Sequence, residues 1–598
     1  MFVTSLDPTR LINAWEPPPR SGSCQTQRLE QADQEVGALS DRHRYANHMN
    51  FIENESATKL RGGYYTEPPI ARFLVRWVSE IEPTAVLEPG CGDGAFFKAL
   101  EEDGRASLES VVGFEIDPAE AQKATRRARG LGADTKVIRG DYLEWSLKHL
   151  LSGARFDAAI GNPPFIRYQY LDERSQELAG RLFEAFGLPF TRHTNAWVPF
   201  VIAAMSQLRP GGRLAMVVPS ELLHVLHAQS LRNYLISACS RILVIDPQEL
   251  FFDKSLQGVV LLMAEKAAST ADGCKLSILP VRGYQFLQEP PAALMAKADF
   301  VDARAVSGKW MTVMLTGPER RALDEVAAYP AVHRFANVAQ VDVGIVTGAN
   351  KFFLVSDAVV RDHGLERWAH PMFGRSEHVR GVVYDARSHA ENRRLGLPTN
   401  FIHFGDVRFS DLPGRVREYI ETGEGEGLHR RYKCRIRSPW YSVPSVWSSP
   451  IGMLKRSHDF PRLVLNAAGA FTTDTAYRIQ PMKGTDAERL VYSFVNSATM
   501  LSAELEGRHY GGGVLELVPS EIEKLLVPLP LDASLQIRAL DRKFRRGDSF
   551  DDILSSQDDV ILKCIGLSAS TRARIFGAWD RLRNRRQRAS PAPNVEAA

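Results

Sequence analysis

Between about residues 68 and 265, short apolar runs alternate with longer amphipathic ones. "TAVLEPG" reads as a strand and "DGAFFKALEEDG" as a helix, then "VVGFEIDP" as strand and "AEAQKATRRARG" as helix. "TKVIRGD", "FDAAIGNPP" and "RLAMVVPS" continue as strands, separated by helical "YLEWSLKHLL" and "NAWVPFVIAAMSQLRPGG", the latter closed by its Pro-Gly-Gly. Helix "ELLHVLHAQSLRNYLI" and strands "RILVID" and "QGVVLLMAEK" complete the series. Strands separated by helices predict a parallel sheet covered on both faces. The last two strands have no long helix between them, which predicts an antiparallel pair at the sheet edge. From about residue 300 the rhythm changes to strand-like pieces, glycines and long connections, as in "VDVGIVTGANKFFLVSD" and "HYGGGVLELVPSEIEKLLVPLP". This predicts a second, α+β domain. The expected division is 49–270, 300–540, and a helical, basic tail over 541–598. Residues 1–48, polar and broken by "EPPPRSGS", are expected to be disordered, with Met49 as the natural start.

A length of 598 residues fits more than one domain, and 44% hydrophobic with 24% charged residues suffices for buried cores. The net charge of +3 does not by itself argue for a polyanionic partner. Six scattered cysteines, none at metal-binding spacing, argue against a disulfide framework or a zinc site and fit a reducing cytoplasm. No apolar run approaches the roughly 20 residues of a membrane helix, and no signal-type apolar segment opens the chain.

Candidate chemistry gathers at the strand ends. "LEPGCGDGAF" follows the first strand and opens a helix, with Gly90, Gly92 and Gly94 permitting a tight turn and close approach of a ligand. Glu115 ends the second strand, where a carboxylate can accept both hydroxyls of a ribose, and Asp141 follows the third. Glu88 and Asp93 in the turn would repel a phosphate and attract an ammonium or sulfonium. The set therefore favours S-adenosylmethionine over a dinucleotide, the alternative being a plain strand–helix turn with solvated acids. The fourth strand runs into Asn162-Pro163-Pro164-Phe165, where two prolines enforce a stiff, extended backbone.

In order along the chain, "GGYYTEPPIA", "LEPGCGDG", "GFEIDP", "GDY", "GNPPF", "NAWVPFV", "GGRLAMVVPS" and "FFDKSLQGVVLL" resemble the motifs of the adenine-N6 DNA methyltransferases of restriction-modification systems. The resemblance covers about 60 to 265 and extends more loosely to about 530 through "RYKCRIRSPWYSVP" and "YGGGVLELVPSEIEKLLVPLP". It implies a Rossmann-like, seven-stranded, mostly parallel α/β sheet with an antiparallel edge strand, and a C-terminal target recognition domain. It also implies S-adenosylmethionine as cofactor. Tyr65 and Thr66 would lie near its methionine end, with Glu88, Gly90, Gly92 and Asp93 in the loop beside it. Glu115 would hold the ribose, Ile116 would pack on the cofactor adenine, and Asp141 would bond its exocyclic amine. Glu67 stands where the usual pattern has Pro directly after the Thr, and is expected to cap the following helix or to face solvent.

Adenine N6 is a poor nucleophile because its lone pair is delocalised into the ring. Two acceptors aimed at its hydrogens would localise that pair, and Asn162 and the Pro163 carbonyl supply them, with Pro164 stiffening the turn. Phe165 would stack on a base extruded from the duplex. Phe252 is the candidate for a second aromatic against that base, with Phe251 as its rival and a core position as its alternative role. Past the loop, Arg167 and Tyr168 would contact the neighbouring DNA strand or begin the next loop.

For the second domain, Arg430, Arg431, Lys433, Arg435 and Arg437 are the candidate phosphate contacts within a basic stretch that runs on through Lys455, Arg456 and Arg462. Trp440, Tyr441 and Trp447 are interleaved; for any single residue a solvated surface over packed aromatics is the alternative. Arg581 to Arg588 read as a solvated tail. The expected function is methyl transfer from S-adenosylmethionine to adenine N6 in double-stranded DNA, protecting it from a separately encoded endonuclease. A methyltransferase for rRNA bases or a release-factor glutamine, and an inactive DNA-binding protein, are the competing readings.

Overall fold

The computed structural model describes residues 66–104, 107–153, 155–248, 258–269, 273–306, 308–510 and 512–587. Residues 1–48, Met49, Tyr65, Phe251, Phe252 and Arg588 lie outside them.

The first half is built on one sheet. Its strands are β1 (Ala85–Glu88), β2 (Ser110–Glu115), β3 (Asp134–Arg139), β4 (Phe156–Gly161), β5 (Leu208–Pro219), β6 (Cys239–Pro247), β7 (Val259–Lys266), β8 (Lys275–Val281) and β9 (Val301–Asp302). Their order is β3-β2-β1-β4-β5-β7-β6-β8-β9. The seven anticipated strands are the first seven of this set, and the expected antiparallel pairing of β6 with β7 is present. Two details differ from expectation. β7 lies inside the sheet, antiparallel to both β5 and β6, and β8 and β9 carry the sheet beyond position 270 to Asp302. The physical reason for the interior position is in the sequence of β7 itself: Val259 to Ala264 are all buried, a run that has to be covered on both faces and both edges. Pro210-Gly211-Gly212 also differs from expectation. The helix ends at Ser206, and these three residues belong to β5, opposite an irregularity in β4.

Strand order reverses at β1, which has β2 on one side and β4 on the other. The carboxyl ends of these strands therefore open a crevice at the point where ligands bind in such sheets. Helix Pro68–Ser79 covers one face and helix Trp197–Ser206 the other. The latter is buried nearly all round.

The second half is α+β. A five-stranded sheet joins Ala339–Val343, Ala476–Pro481, Ile451–Leu454, Leu463–Asn466 and Val383–Tyr384, and a four-stranded one lies around Asn400–Ile402 and Ala369–Phe373. The core does not stop between the halves: Leu87, Phe114 and Met216 share one continuous apolar cluster with Leu490, Leu501, Trp579 and Leu582.

The expected solvated tail is also corrected. Helices Ile537–Arg546, Phe550–Val560 and Ala569–Gln587 belong to this core, and Trp579 and Leu582 are fully buried. Arg585 donates to Asp246 at the end of β6 over 2.5 and 2.8 Å, and Arg586 grips both carboxylate oxygens of Glu504 at 2.7–3.1 Å. Arg583 bonds Asp551 and Asp580. A run of arginines looks solvated in a sequence because acids that neutralise it lie as far as 82 and 339 residues away. Among the described residues no helix is long and apolar enough to cross a membrane, and no group of His, Cys, Asp and Glu could hold a metal ion.

Candidate active site and DNA interface

The turn after β1 is shaped by its glycines. Gly92 and Gly94 have φ of 51° and 84°, and a Cβ on Gly94 would sit 2.9 Å from the Ala124 main chain. The turn closes with Gly94 N donating to Cys91 O (2.7 Å), and Cys91 N donates across to Phe114 O of β2 (2.8 Å).

Three carboxylates converge here. Glu88 is 1% exposed, and among the described residues its Oε2 has no hydrogen-bond partner. Burial, reinforced by the charges of Asp93 and Glu115, holds its carboxyl well above the usual range. Glu115 accepts from Gly92 N (2.9 Å) and Asp117 N (2.8 Å), one on each oxygen. Each oxygen keeps a second lone pair, and burial raises this carboxyl too. Asp93, in the same turn, pairs its carboxylate with Arg127 at 2.9 Å. The neighbouring Ile116 is 68% exposed, an apolar face left open beside Glu115. Asp141 caps the helix Tyr142–His149 through Leu143 N (2.7 Å) and Glu144 N (3.2 Å).

On the other side of the switch point, Gly161 ends β4 and the stiff Asn162-Pro163-Pro164-Phe165 follows. Asn162 Nδ2 donates to Thr66 Oγ1 (3.2 Å), with Thr66 buried. This bond anchors the nitrogen end of the amide. Pro163 is buried, and half-buried Phe165 packs against the apolar residues of both sheet faces. Glu67 makes no side-chain cap; its main-chain carbonyl accepts from Ile70 and Ala71 instead. Thus Thr66, Glu88, the glycine turn, Glu115, Ile116 and Asn162 stand at one edge, as the sequence predicts.

Two residues of this edge escaped the sequence reading. Asn195 accepts from Tyr168 N (3.4 Å) and donates to Glu221 Oε2 (2.9 Å), behind the loop that follows Phe165. The available signal was positional: Glu221 comes just after β5, where a sheet of this kind presents its functional side chains.

In the second half the basic stretch divides. Arg430, Arg431, Lys433 and Arg435 are exposed. Lys433 and Arg435 lie 5.6 Å from the ring of Tyr432, itself 62% exposed, and Ile436 beside them is equally open. Arg437 corrects the expectation: its guanidinium donates to Thr347 O (2.8 Å) and Val346 O (2.6 Å), so it braces a loop. Lys455 and Arg456 pair with Glu516, and Arg462 donates to the carbonyls of Val379, Arg380 and Gly381. Trp440 and Tyr441 are buried beneath, while Trp447 carries the Arg478 guanidinium at 4.0 Å.

Comparison with known proteins bears on both halves. The family described as "N-6 DNA Methylase" matches residues 46–281, and that described as "Type II methyltransferase M.Eco57I, C-terminal domain" matches 307–562. Type II methyltransferase M.AccI of Acinetobacter calcoaceticus is 21% identical over 77% of this chain and 84% of its own length. Type II methyltransferase M.XamI of Xanthomonas campestris pv. amaranthicola is 24% identical over 78% and 85%. The Type IIL restriction-modification enzyme MmeI, solved in complex with DNA, superposes over 86% of this chain and 75% of its own with a TM-score of 0.52 at 11% identity, a likeness of fold.

Proposed function

Because the chain belongs to the adenine-N6 DNA methyltransferases of restriction-modification systems, we propose that it modifies a flipped adenine in the crevice between β1 and β4. The observation that carries this reading is the pairing, at one sheet edge, of an anchored Asn162 amide with a buried carboxylate that has no cation of its own among the described residues.

The residues present fit S-adenosylmethionine. Glu88 offers an unsatisfied carboxylate oxygen to an ammonium, the Gly90–Gly94 turn admits close approach, Glu115 keeps lone pairs for ribose hydroxyls, and exposed Ile116 offers an apolar face to an adenine. Asp141, with Oδ1 given to its helix cap, would meet the adenine amine through its other oxygen. Tyr65 and Thr66 complete the methionine end. Asp93, paired with Arg127, shapes the turn and adds negative potential to it. When bound, the cofactor supplies an electrophilic methyl group.

The chain's own residues do the rest. Asn162 Oδ1 and the Pro163 carbonyl accept the two N6 hydrogens, which localises the nitrogen lone pair. Phe165 stacks on the base, with Phe252 as the second ring, and offsets about 1–3 kcal/mol of the cost of extrusion. The N6 proton leaves after charge develops on nitrogen, so no strong base is needed. Arg430, Arg431, Lys433 and Arg435 meet phosphates of the duplex. The biological role is protection of DNA from a cognate endonuclease encoded separately, in the cytoplasm.

Labelled cofactor offered with plasmid DNA, total RNA or a release factor tests this reading. Label is expected in DNA at N6 of adenine. Label in RNA or protein and not in DNA overturns it.

A further inference from the structure

The main chain beyond Phe165 is held from behind. Ala196 N donates to Ile166 O (2.9 Å), Asn195 Oδ1 accepts from Tyr168 N (3.4 Å), and Gln176 Nε2 donates to Tyr168 O (3.3 Å) and Leu171 O (2.9 Å). Asn195 is 9% exposed, and its amide nitrogen donates to Glu221 Oε2 at 2.9 Å. It thus bonds the catalytic loop with one end of its amide and Glu221 with the other.

Glu221 opens the single turn Glu221–His224 directly after β5. The far end of that turn meets the second half of the protein. The His224 ring lies against that of His509, with centroids 5.0 Å apart and planes 30° apart, and His509 N donates to His224 Nδ1 (3.4 Å). Among the described residues, titratable groups facing Glu221 include Arg167 on the catalytic loop, His227 at 3.9 Å, and Arg508 and Tyr510 on the strand Arg508–Tyr510. A buried carboxylate is costly wherever an apolar pair would pack as well. Here it stands between an arginine of the catalytic loop and an arginine of the recognition half.

We propose that Asn195 and Glu221 are positioning residues that carry the placement of the C-terminal half to Asn162-Pro163-Pro164-Phe165. The inference rests on the methyl-transfer reading above. DNA engaged by the second half pulls on the strand Arg508–Tyr510; the turn Glu221–His224 relays that position to Asn195, and Asn195 sets the loop. The ionised form of Glu221 attracts both arginines, while Arg508 keeps its ion pair with Glu521 at 3.1 Å. Burial raises this carboxyl above its ordinary value, so the attraction is complete above that raised value and is lost as pH falls through it.

The test uses the full chain, with N195A, E221A, the double variant and E221Q. N195A and E221A are expected to lower kcat about 10- to 100-fold, the scale of an ångström-sized misplacement, while cofactor Kd stays at the wild-type value. The double variant should be no slower than N195A alone, since both lie on one path. E221Q keeps an acceptor for Asn195 and no charge, so its kcat should fall between E221A and wild type and show no acid limb in its pH profile. The inference is overturned by single variants that bind cofactor normally and keep wild-type kcat. It is equally overturned by a double variant whose loss is the product of the single losses, or by an acid limb in E221Q identical to wild type. Wild-type protein that leaves DNA unmethylated in the same assay overturns the functional reading, and this inference with it.

Discussion

Two regions of the molecule bury acids, and they treat them oppositely. Where the halves meet, three fully buried carboxylates have cations: Asp246 has Arg585, Glu504 has Arg586, and Glu521 has Lys309 at 2.8 Å and Arg508 at 3.1 Å. In the crevice Glu88 is as deeply buried, yet two more carboxylates are its neighbours and, among the described residues, its Oε2 has no partner. The desolvation cost is of the same kind in both places. The seam meets it with the protein's own arginines and is thereby structure. The crevice leaves it unmet until a cation arrives from outside, which makes it a binding site.

Substitutions can erase this contrast or deepen it. The largest effect is expected from Arg586→Met, which takes the guanidinium from buried Glu504 and leaves the His509 ring at 3.4 Å beside it. Breaking one partner of such a pair costs about 3–5 kcal/mol, read as a drop in the urea unfolding free energy. An unchanged midpoint would show that the seam does not depend on matched charge. Asn162→Ala deepens the contrast from the other side. It should lower methylation kcat by about 10²–10³-fold, the scale seen when one transition-state hydrogen-bonding group is removed, with no change in the unfolding curve.

Glu88→Gln makes the crevice resemble the seam in neutrality. The raised Glu88 carboxyl favours the uncharged form in the folded protein, so the destabilisation grows as pH rises from the ordinary carboxyl value toward the raised one and is complete above it. The variant should therefore be more stable than wild type at neutral pH, with the gain vanishing in acid. Its affinity for the cofactor should fall by about tenfold or more through the lost charge-assisted bond, measured by calorimetry. Equal affinity with equal stability would remove Glu88 from the site. The smallest effects separate two arginines of one stretch. Arg431→Ala should lower the salt dependence of DNA binding by about one unit of slope and leave stability alone. Arg437→Ala should cost about 1–2 kcal/mol of stability through the bonds to Val346 and Thr347. If both behave alike, exposure does not distinguish them.

Much of the crevice was legible because its chemistry is local. Glycines with positive φ, an acid after each strand and Asn-Pro-Pro-Phe after the fourth all depend on residues within a few positions of one another. The sheet was legible for the same reason, since each strand carries its own burial pattern. Arginines were not. Arg431 and Arg437 sit in one basic run, and only the fold shows that one faces water while the other donates to carbonyls about ninety residues earlier. The arginines of the last helix misled for the same cause. Asn195 and Glu221 were invisible as a pair because each is unremarkable alone, and their meaning lies in the loop they join.

The bond between Asp246 and Arg585 spans 339 residues of chain. A ribosome adding about 5–20 residues per second delivers the second partner roughly 15–70 s after the first. For that interval the end of β6 has its acid and lacks the Arg585 guanidinium. Stalled chains lacking the last helix should therefore be cut by protease within β6, and chains that include it should resist. Timing of this kind would complete the first half only when the second is already attached.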